Sequence, residues 1–423
     1  MTRVRRLGRA TFASLANPNY RRYFFGQIVS VSGTWMQRLA QAWLVLRLTD
    51  GSGVALGVEI ALQFVPMLLL GAWGGVVADR FDKRRLLIVT QIVPGLLAAG
   101  LGLVVWADAA TLPVVFAFTL GLGLVNVFDN PARQTFVLEM VGRDHLPNAV
   151  ALNSVVMNTS RVVGPAIGGI VIEVTGLVPC FLLNAASYLA VIVALLAMDV
   201  SRLAPAPRVP RAKGQTRAGL RYVWSEPRLR TPLLMMAVIG TLGLNAQVVI
   251  PLIATTEFGL GAGGFGGLTS ALGIGAVAGG LAAASRQGIS YRRLVGLAAA
   301  MGGSILLAAV APTLATETVA LFVVGVCSFA FVATANATLQ LTSRPDMRGR
   351  VMALYAIAFL GTTPIGAPVV GWVCAAFGPR AGFVVGGVTT LLAAAWAAAS
   401  LARTGAAADT DAVASLGAHP HAA

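Results

Sequence analysis

The sequence predicts an all-α integral membrane protein with twelve transmembrane helices in two halves of six. Of its 423 residues, 57% are hydrophobic and only 11% are charged, and the mean hydropathy of +0.79 lies far outside the range of a soluble domain. Apolar runs long enough to cross a bilayer recur along the chain. They form two blocks on either side of one hydrophilic stretch, residues 199–230, which predicts two bundles joined by a linker.

The chain divides in order into a basic start, two bundles and a tail. Residues 1–22 contain six Arg and no acid and are predicted to stay in the cytoplasm. The apolar run that follows is too long for the h-region of a signal peptide, so it is interpreted as the first span. Residues 404–423 are rich in Ala and are predicted to be disordered.

The spans of each bundle are predicted from apolar length. In the first bundle, residues 23–198, they are 23–46, 54–77, 86–106, 112–130, 149–174 and 178–198. In the second bundle, residues 231–403, they are 232–253, 265–284, 294–311, 319–341, 351–377 and 381–401.

The distribution of cations predicts the orientation. Of the 31 Lys and Arg residues, only Arg47 and Arg380 fall on predicted outer loops, and only Arg38 and Arg161 fall within spans. Because cytoplasmic loops collect basic residues, both termini are predicted to lie in the cytoplasm. The protein is predicted to be a multi-pass protein of the cytoplasmic (inner) membrane. The net charge of +15 therefore needs no nucleic-acid partner.

A short basic turn between the second and third spans is the most informative motif. Its residues are Gly75, Asp79, Arg80, Lys83, Arg84 and Arg85. One interpretation is a generic basic loop over residues 79–85 that only enforces topology. The spacing also resembles the signature loop of the major facilitator superfamily of transporters, with Asp82 where that pattern usually has Gly. By this resemblance, Asp79 helps to latch the two halves together on the cytoplasmic side.

An internal repeat relates the two halves. At an offset of 202 residues, Gly164 matches Gly366 and Gly169 matches Gly371. The fifth and eleventh spans are therefore predicted to be equivalent. Two parallel repeats of six helices around a central pathway are the architecture of major facilitator transporters.

The fifth span carries a further small-residue element made of Gly164, Pro165, Gly168 and Gly169. It resembles the second half of the Gly-Pro element in this helix of superfamily antiporters, with Ser160 at a place where that pattern has Gly. The alternative is plain helix packing, because small residues let helices approach closely.

Three further segments look like an exporter branch of the superfamily that includes bacterial macrolide efflux proteins and the enterobactin exporter. They are residues 130–134, 146–149 and 348–352, and the resemblance covers roughly residues 15–400. It implies a monomeric secondary transporter in the lipid bilayer that exports a small, largely apolar molecule of drug, macrolide or siderophore type by proton antiport with alternating access. The alternatives are an importer of the same fold and, more remotely, a membrane-bound enzyme or sensor.

Charged groups inside spans are the candidates for proton coupling, because burial in a membrane is costly unless a charge faces a cavity or a partner. Glu59 ranks first, with Arg38 as its expected neighbour, although the two are equally consistent with a fixed ion pair. Asp129 ranks second, or pairs with Arg133 four residues on. Arg161 completes this set. The second half is predicted to have no acid inside a span.

Polar uncharged residues in the spans are the candidates for the substrate cavity, although interhelical hydrogen bonds explain such residues equally well. They are Gln37, Gln63, Asn126, Asn245 and Gln247. The three Cys have neither metal nor disulfide spacing, and no nucleotide-binding loop is present, so no metal, cofactor or catalytic residue is predicted.

Overall fold

The structure is a computed structural model that describes residues 12–204, 215–285 and 290–403. Within these ranges all regular structure is helical, which confirms the all-α fold class. The predicted disordered tail and the proline-rich centre of the linker lie outside the described residues, as does most of the basic start.

The helices are numbered here in chain order. The first half of the chain forms α1 Pro18–Leu48, α2 Gly53–Arg80, α3 Lys83–Trp106, α4 Leu112–Thr175 and α5 Leu177–Leu196. The second half forms α6 Gln215–Ser225, α7 Pro227–Val238, α8 Ala246–Leu252, α9 Ala262–Ala284, α10 Tyr291–Ala309, α11 Leu314–Thr342, α12 Arg348–Leu360, α13 Thr363–Phe377 and α14 Pro379–Arg403. Two π-helical turns, Ile239–Gly243 and Ile253–Glu257, follow α7 and α8. Short 3-10 turns are Ala13–Ala16 and Val200–Arg202.

Ten helical stretches in the described ranges are long and apolar enough to cross a membrane. The 64-residue α4 holds two of the predicted spans, because Gly142 breaks the helix with φ 71° and ψ 177°. With α1, whose polar interior lowers its hydropathy, the predicted twelve spans are accounted for. The predicted loop between the fourth and fifth spans was wrong, since α4 is helical on both sides of Gly142.

The basic turn is shorter than predicted. Asp79 and Arg80 belong to the last turn of α2, and Lys83 begins α3, so only Phe81 and Asp82 connect the helices. The Asp82 side chain accepts a hydrogen bond from the Arg85 backbone N–H at 2.8 Å and so caps α3. This capping role explains how Asp serves at a position where the superfamily pattern usually has Gly.

The segment predicted as a hydrophilic linker also contains helix. It includes α6, and α7 begins at Pro227 with Glu226 as its N-cap. The Tyr222 hydroxyl of α6 accepts a hydrogen bond from the Arg344 backbone N–H at 3.2 Å. This contact fastens α6 to the segment between α11 and α12.

Contacts group the described residues into two compact units, and the ranges that follow apply only to those residues. Unit 1 comprises Met1–Asp50, Leu62–Val209 and Leu260–Ser270. Unit 2 comprises Gly51–Ala61, Pro210–Gly259 and Ala271–Ala423. The start of α2 thus belongs to unit 2 and the start of α9 to unit 1, a grouping that apolar length alone does not reveal.

The repeat found in the sequence corresponds to equivalent contacts inside the two units. In unit 1, a side chain at Gly164 of α4 would collide with the Ser32 carbonyl of α1. In unit 2, a side chain at the matching Gly366 of α13 would collide with the Thr241 carbonyl of the first π turn. Each glycine lets its helix lie against the first long helical stretch of its own half of the sequence.

A second pair of matched glycines makes a second pair of close contacts. In unit 1, Gly169 of α4 lies against the Ala262 carbonyl at the start of α9. In unit 2, Gly371 of α13 lies against the Gly53 carbonyl at the start of α2. These contacts explain why the start of α9 groups with unit 1 and the start of α2 groups with unit 2.

Candidate functional site

The polar interior of α1 organises unit 1. This helix begins at Pro18 and is capped by Asn17, whose side chain accepts hydrogen bonds from the next two free N–H groups. A helix inside a membrane that carries Ser, Thr, Gln and Arg side chains must turn them toward other helices or a cavity, because lipid cannot satisfy them. The polar side chains of α1 therefore face the interior of unit 1.

One aromatic ring of α1 lies beside two cations. The guanidinium carbon of Arg38 lies 4.8 Å from the centre of the Trp35 ring, and that of Arg161 lies 4.9 Å from it. All three side chains are half-buried. Both distances are within the range of cation-π attraction, which is strongest for Trp. Both arginines were predicted from the sequence as proton-coupling candidates. Trp35 was not predicted, although its spacing of three residues from Arg38 places the two on one helix face.

Local packing holds Arg161 next to α1. One residue earlier, the Ser160 hydroxyl is hydrogen-bonded to the Ser32 hydroxyl at 3.0 Å. One turn later, Gly164 brings the α4 backbone against Trp35. The Gly-Pro element thus has a definite packing role in this structure. It positions a cation on the aromatic ring of the neighbouring helix.

The predicted cavity residues of unit 1 differ in their surroundings. Gln37 is buried and accepts a hydrogen bond from the Asn184 side chain of α5. Gln63 is half-buried, and its carbonyl lies against Gly123. Asn126 is also half-buried. The contact of Gln37 is an interhelical hydrogen bond, and the assignment of all three to a substrate cavity stays a prediction.

Asp129 lies in a dense hydrogen-bond network. It is 2% exposed, and its Oδ1 accepts hydrogen bonds from the Thr90 hydroxyl at 2.8 Å and the Gln91 amide at 2.9 Å. Its Oδ2 forms an ion pair with Arg133, four residues on, which confirms the alternative prediction of an Asp129–Arg133 pair. Three donors on one carboxylate hold its side chain in one position, and they join α3 to α4.

Glu59 lies in a different compact unit from Arg38. It is 8% exposed and belongs to the part of α2 that groups with unit 2, whereas Arg38 belongs to unit 1. Two residues earlier, Gly57 lies against the Ala367 carbonyl of α13. The pairing of Glu59 with Arg38 stays a prediction.

In unit 2 the two predicted cavity residues also differ. Asn245 is buried, and its side-chain amide donates to the Thr241 carbonyl at 2.6 Å, whereas Gln247 is exposed. The prediction that no acid lies inside a span of the second half was wrong. Glu317, predicted to lie in an outer loop, is in the first turn of α11 and is fully buried.

The cations of the basic turn hold neighbouring helix ends in place. The Lys83 ammonium pairs with Glu139 of α4 at 2.6 Å. The Arg84 guanidinium donates to the Leu195 and Leu196 carbonyls at the end of α5, at 2.7 and 3.2 Å. Cations near helix C-termini satisfy carbonyls that lack intrahelical partners. Asp79 and Arg80 are exposed, and Gly75 is buried.

The chain is similar to known transporters over most of its length. Residues 9–421 match the family described as transmembrane secretion effector. The chain is 27% identical to the multidrug efflux pump Tap of Mycolicibacterium fortuitum, over 87% of this chain and 92% of that protein. It is 23% identical to the enterobactin exporter EntS of Shigella boydii, over 89% and 90% respectively.

A third relative matches over a shorter region. The staphyloferrin A transporter of Staphylococcus aureus is 30% identical over 169 residues. That match covers 40% of this chain and 42% of the relative, so the chain spans less than half of that protein in the alignment.

Solved structures share the fold. A bacterial homologue of the human lysosomal transporter Spinster superposes with a TM-score of 0.73 at 14% identity, over 90% of this chain and 97% of that one. A bacterial homologue of the iron transporter ferroportin superposes with a TM-score of 0.68 at 16% identity, over 90% and 98%. Family and relatives are transporters and not enzymes, which removes the membrane-enzyme alternative. The chain belongs to the transmembrane secretion effector family of the major facilitator superfamily.

Proposed function

We propose that this protein exports a small, largely apolar molecule of drug, macrolide or siderophore type by proton antiport with alternating access. The relatives that match along most of the chain support export, since one is named as a multidrug efflux pump and another as a siderophore exporter.

The observation that carries the proposal is the grouping of Trp35 with Arg38 and Arg161. An indole ring offers an apolar face to a largely apolar substrate, and guanidinium groups bind the carboxylates or other acceptors that siderophores and many drugs carry. Two like charges beside one ring also repel each other. An acidic group of a substrate placed near them reduces that repulsion, so the site responds to substrate charge.

The proton carrier of this antiport is assigned to Glu59 rather than to Asp129. The carboxylate of Asp129 accepts from Thr90, Gln91 and Arg133, and these contacts commit it to a structural role between α3 and α4. Glu59 is buried in a segment that packs closely against α13 through Gly57. A carboxyl in such a place changes its surroundings when the segment moves, as a proton carrier must.

An expression strain tests the export function. Overexpression of the protein in a host that lacks its own efflux pumps should raise resistance to at least one of a panel of macrolides and other apolar drugs, or raise the secretion of a siderophore. The matched control is the same strain with the empty expression vector. A strain that instead accumulates the responding compound faster than the control would favour the importer alternative.

A further inference from the structure

Glu317 is a buried acid that no part of the proposed mechanism uses. Its side chain is 0% exposed, and neither carboxyl oxygen has a hydrogen-bond partner among the described residues. Transfer of an unpaired carboxylate out of water costs several kcal/mol, so such a group is stable in the neutral, protonated form. The surroundings of Glu317 in this structure therefore favour the protonated carboxylic acid over the carboxylate.

The start of α11 fixes this position. The Thr313 side chain accepts a hydrogen bond from the Thr316 N–H at 3.3 Å, and the Thr316 hydroxyl accepts one from the Thr313 N–H at 3.1 Å. This capping box sets the first residue of α11, and the Glu317 N–H then donates to the Thr313 carbonyl at 2.9 Å. Glu317 therefore shares a helix face with the buried Leu321 and Val324.

Two charged groups face Glu317, and both belong to unit 2. They are Arg380 at the start of α14 and Glu257 in the second π turn. Arg380 donates through Nε to Glu257 Oε2 at 2.8 Å and through Nη1 to the Ala309 carbonyl at 3.0 Å. The contribution of α10 to this end of the unit is therefore an uncharged backbone carbonyl. Arg380 is committed to Glu257, and this leaves Glu317 without a counter-charge.

The ion pair is accessible to water, whereas the acid beside it is not. The side chains of Arg380 and Glu257 are 31% and 30% exposed. Water at the pair provides both a source and an acceptor for a proton. The predicted topology places this end of the unit on the outer side of the membrane, where an antiporter takes up its protons.

We propose that Glu317 is a proton-binding site of unit 2 that works by exchange of partners with Arg380. While buried, Glu317 holds a proton and Arg380 pairs with Glu257. When this end loosens, Glu317 gives its proton to water and its carboxylate pairs with Arg380, and Glu257 is released to solvent. Protonation from outside reverses the exchange. The link to transport rests on the proposed antiport, but proton binding itself does not.

Infrared spectroscopy tests the site without any transport assay. The purified full-length protein in lipid nanodiscs is titrated, and the carbonyl stretch of protonated carboxylic acids is followed in the wild type, Glu317→Gln and Glu257→Gln. Glutamine imitates the neutral acid in shape, so Glu317→Gln should fold. Glu317→Asp is a second variant that keeps a carboxyl and should keep a band at a shifted frequency.

The expected result is a pH-dependent acid band in the wild type with one component that Glu317→Gln removes and Glu257→Gln retains, while the component of Glu59, the other proposed proton carrier, remains. A wild-type band that Glu317→Gln leaves unchanged, or that does not shift in Glu317→Asp, would overturn the assignment, as would the absence of a titrating acid band in the wild type. If export fails in cells while this band behaves as expected, the proposed function is wrong and the proton site stands.

Discussion

A side chain at Gly371 would collide with the backbone carbonyl oxygen of Gly53, so α13 and the start of α2 lie in backbone contact. The matching glycine of the repeat, Gly169, makes the equivalent contact with the start of α9. Each contact joins a segment from one half of the sequence to a helix from the other half. In the proposed alternating-access cycle, contacts of this kind are broken and remade as one repeat moves against the other.

The first prediction concerns this close contact. Gly371→Leu should lower the stability of the protein by about 1–3 kcal/mol, because a side chain forced into a packed interface strains it. It should also reduce export, since one state of the cycle loses its contact. Thermal unfolding in nanodiscs and export by cells measure the two effects.

A matched control exists in α10. A side chain at Gly303 would meet nothing within 4 Å, so Gly303→Leu should leave both stability and export close to wild type. Equal losses in the two variants would show that leucine is harmful at any membrane glycine, and the contact between Gly371 and Gly53 would then carry no special role.

The second prediction concerns the network around Asp129. Asp129→Asn removes one partner of a buried ion pair and leaves Arg133 uncompensated, which typically costs about 3–5 kcal/mol. The unfolding temperature should fall clearly. Asp346→Asn removes an exposed partner of Arg344 and should change stability by less than about 1 kcal/mol. An Asp129→Asn protein as stable as the wild type would refute the structural role of the network.

The features that could be predicted from the sequence are those that depend on the length of apolar runs and on the spacing of residues along the chain. Apolar length predicted the spans, and the offset between Gly169 and Gly371 predicted an equivalence that the structure bears out in contacts. The break inside α4 was missed, because Gly142 alone does not distinguish a kinked helix from a loop. The two-residue connection after Arg80 was missed because basic residues suit a helix end and a loop equally well.

The third prediction concerns the aromatic ring of the candidate site. Trp35→Ala should raise the substrate concentration for half-maximal export about tenfold, or ~1.4 kcal/mol, because an apolar and cation-π surface is lost. Trp35→Phe should lose less. The control is Trp106→Ala at the exposed end of α3. An unchanged concentration dependence in Trp35→Ala would remove this ring from the substrate site.

The fourth prediction concerns orientation. In a variant whose three native cysteines are replaced, Phe81→Cys should react with an impermeant thiol reagent only in inverted vesicles, and Ala109→Cys only in intact cells. Both positions are exposed connections next to helix ends. The excess of cations near Phe81 is the physical reason. The reverse pattern of labelling would invert the topology and, with it, the outer position assigned to Glu317.

The candidate site depended on contacts that no pattern in one sequence encodes. Arg161 was identified because a charge in an apolar run stands out, but its partner Trp35 is 126 positions away in an unremarkable context. Glu317 was assigned to an outer loop because it lies just before the span predicted from apolar length at 319–341, and only the packing of α11 shows that it is buried. Gly-rich close contacts decide which helix segments group together, and these depend on the whole fold.

Gradient-driven uptake into inverted vesicles tests the central claim of proton-coupled export most directly. The vesicles hold the wild type or Glu59→Gln, and the substrate is one to which the overexpressing strain is resistant. A proton gradient, acid inside, should drive uptake by the wild type, and a protonophore should abolish it. Glu59→Gln should lose gradient-driven uptake but keep downhill exchange of labelled for unlabelled substrate. Wild-type uptake that proceeds equally without a gradient would contradict proton antiport, and uptake by Glu59→Gln that still follows the gradient would remove Glu59 as the carrier.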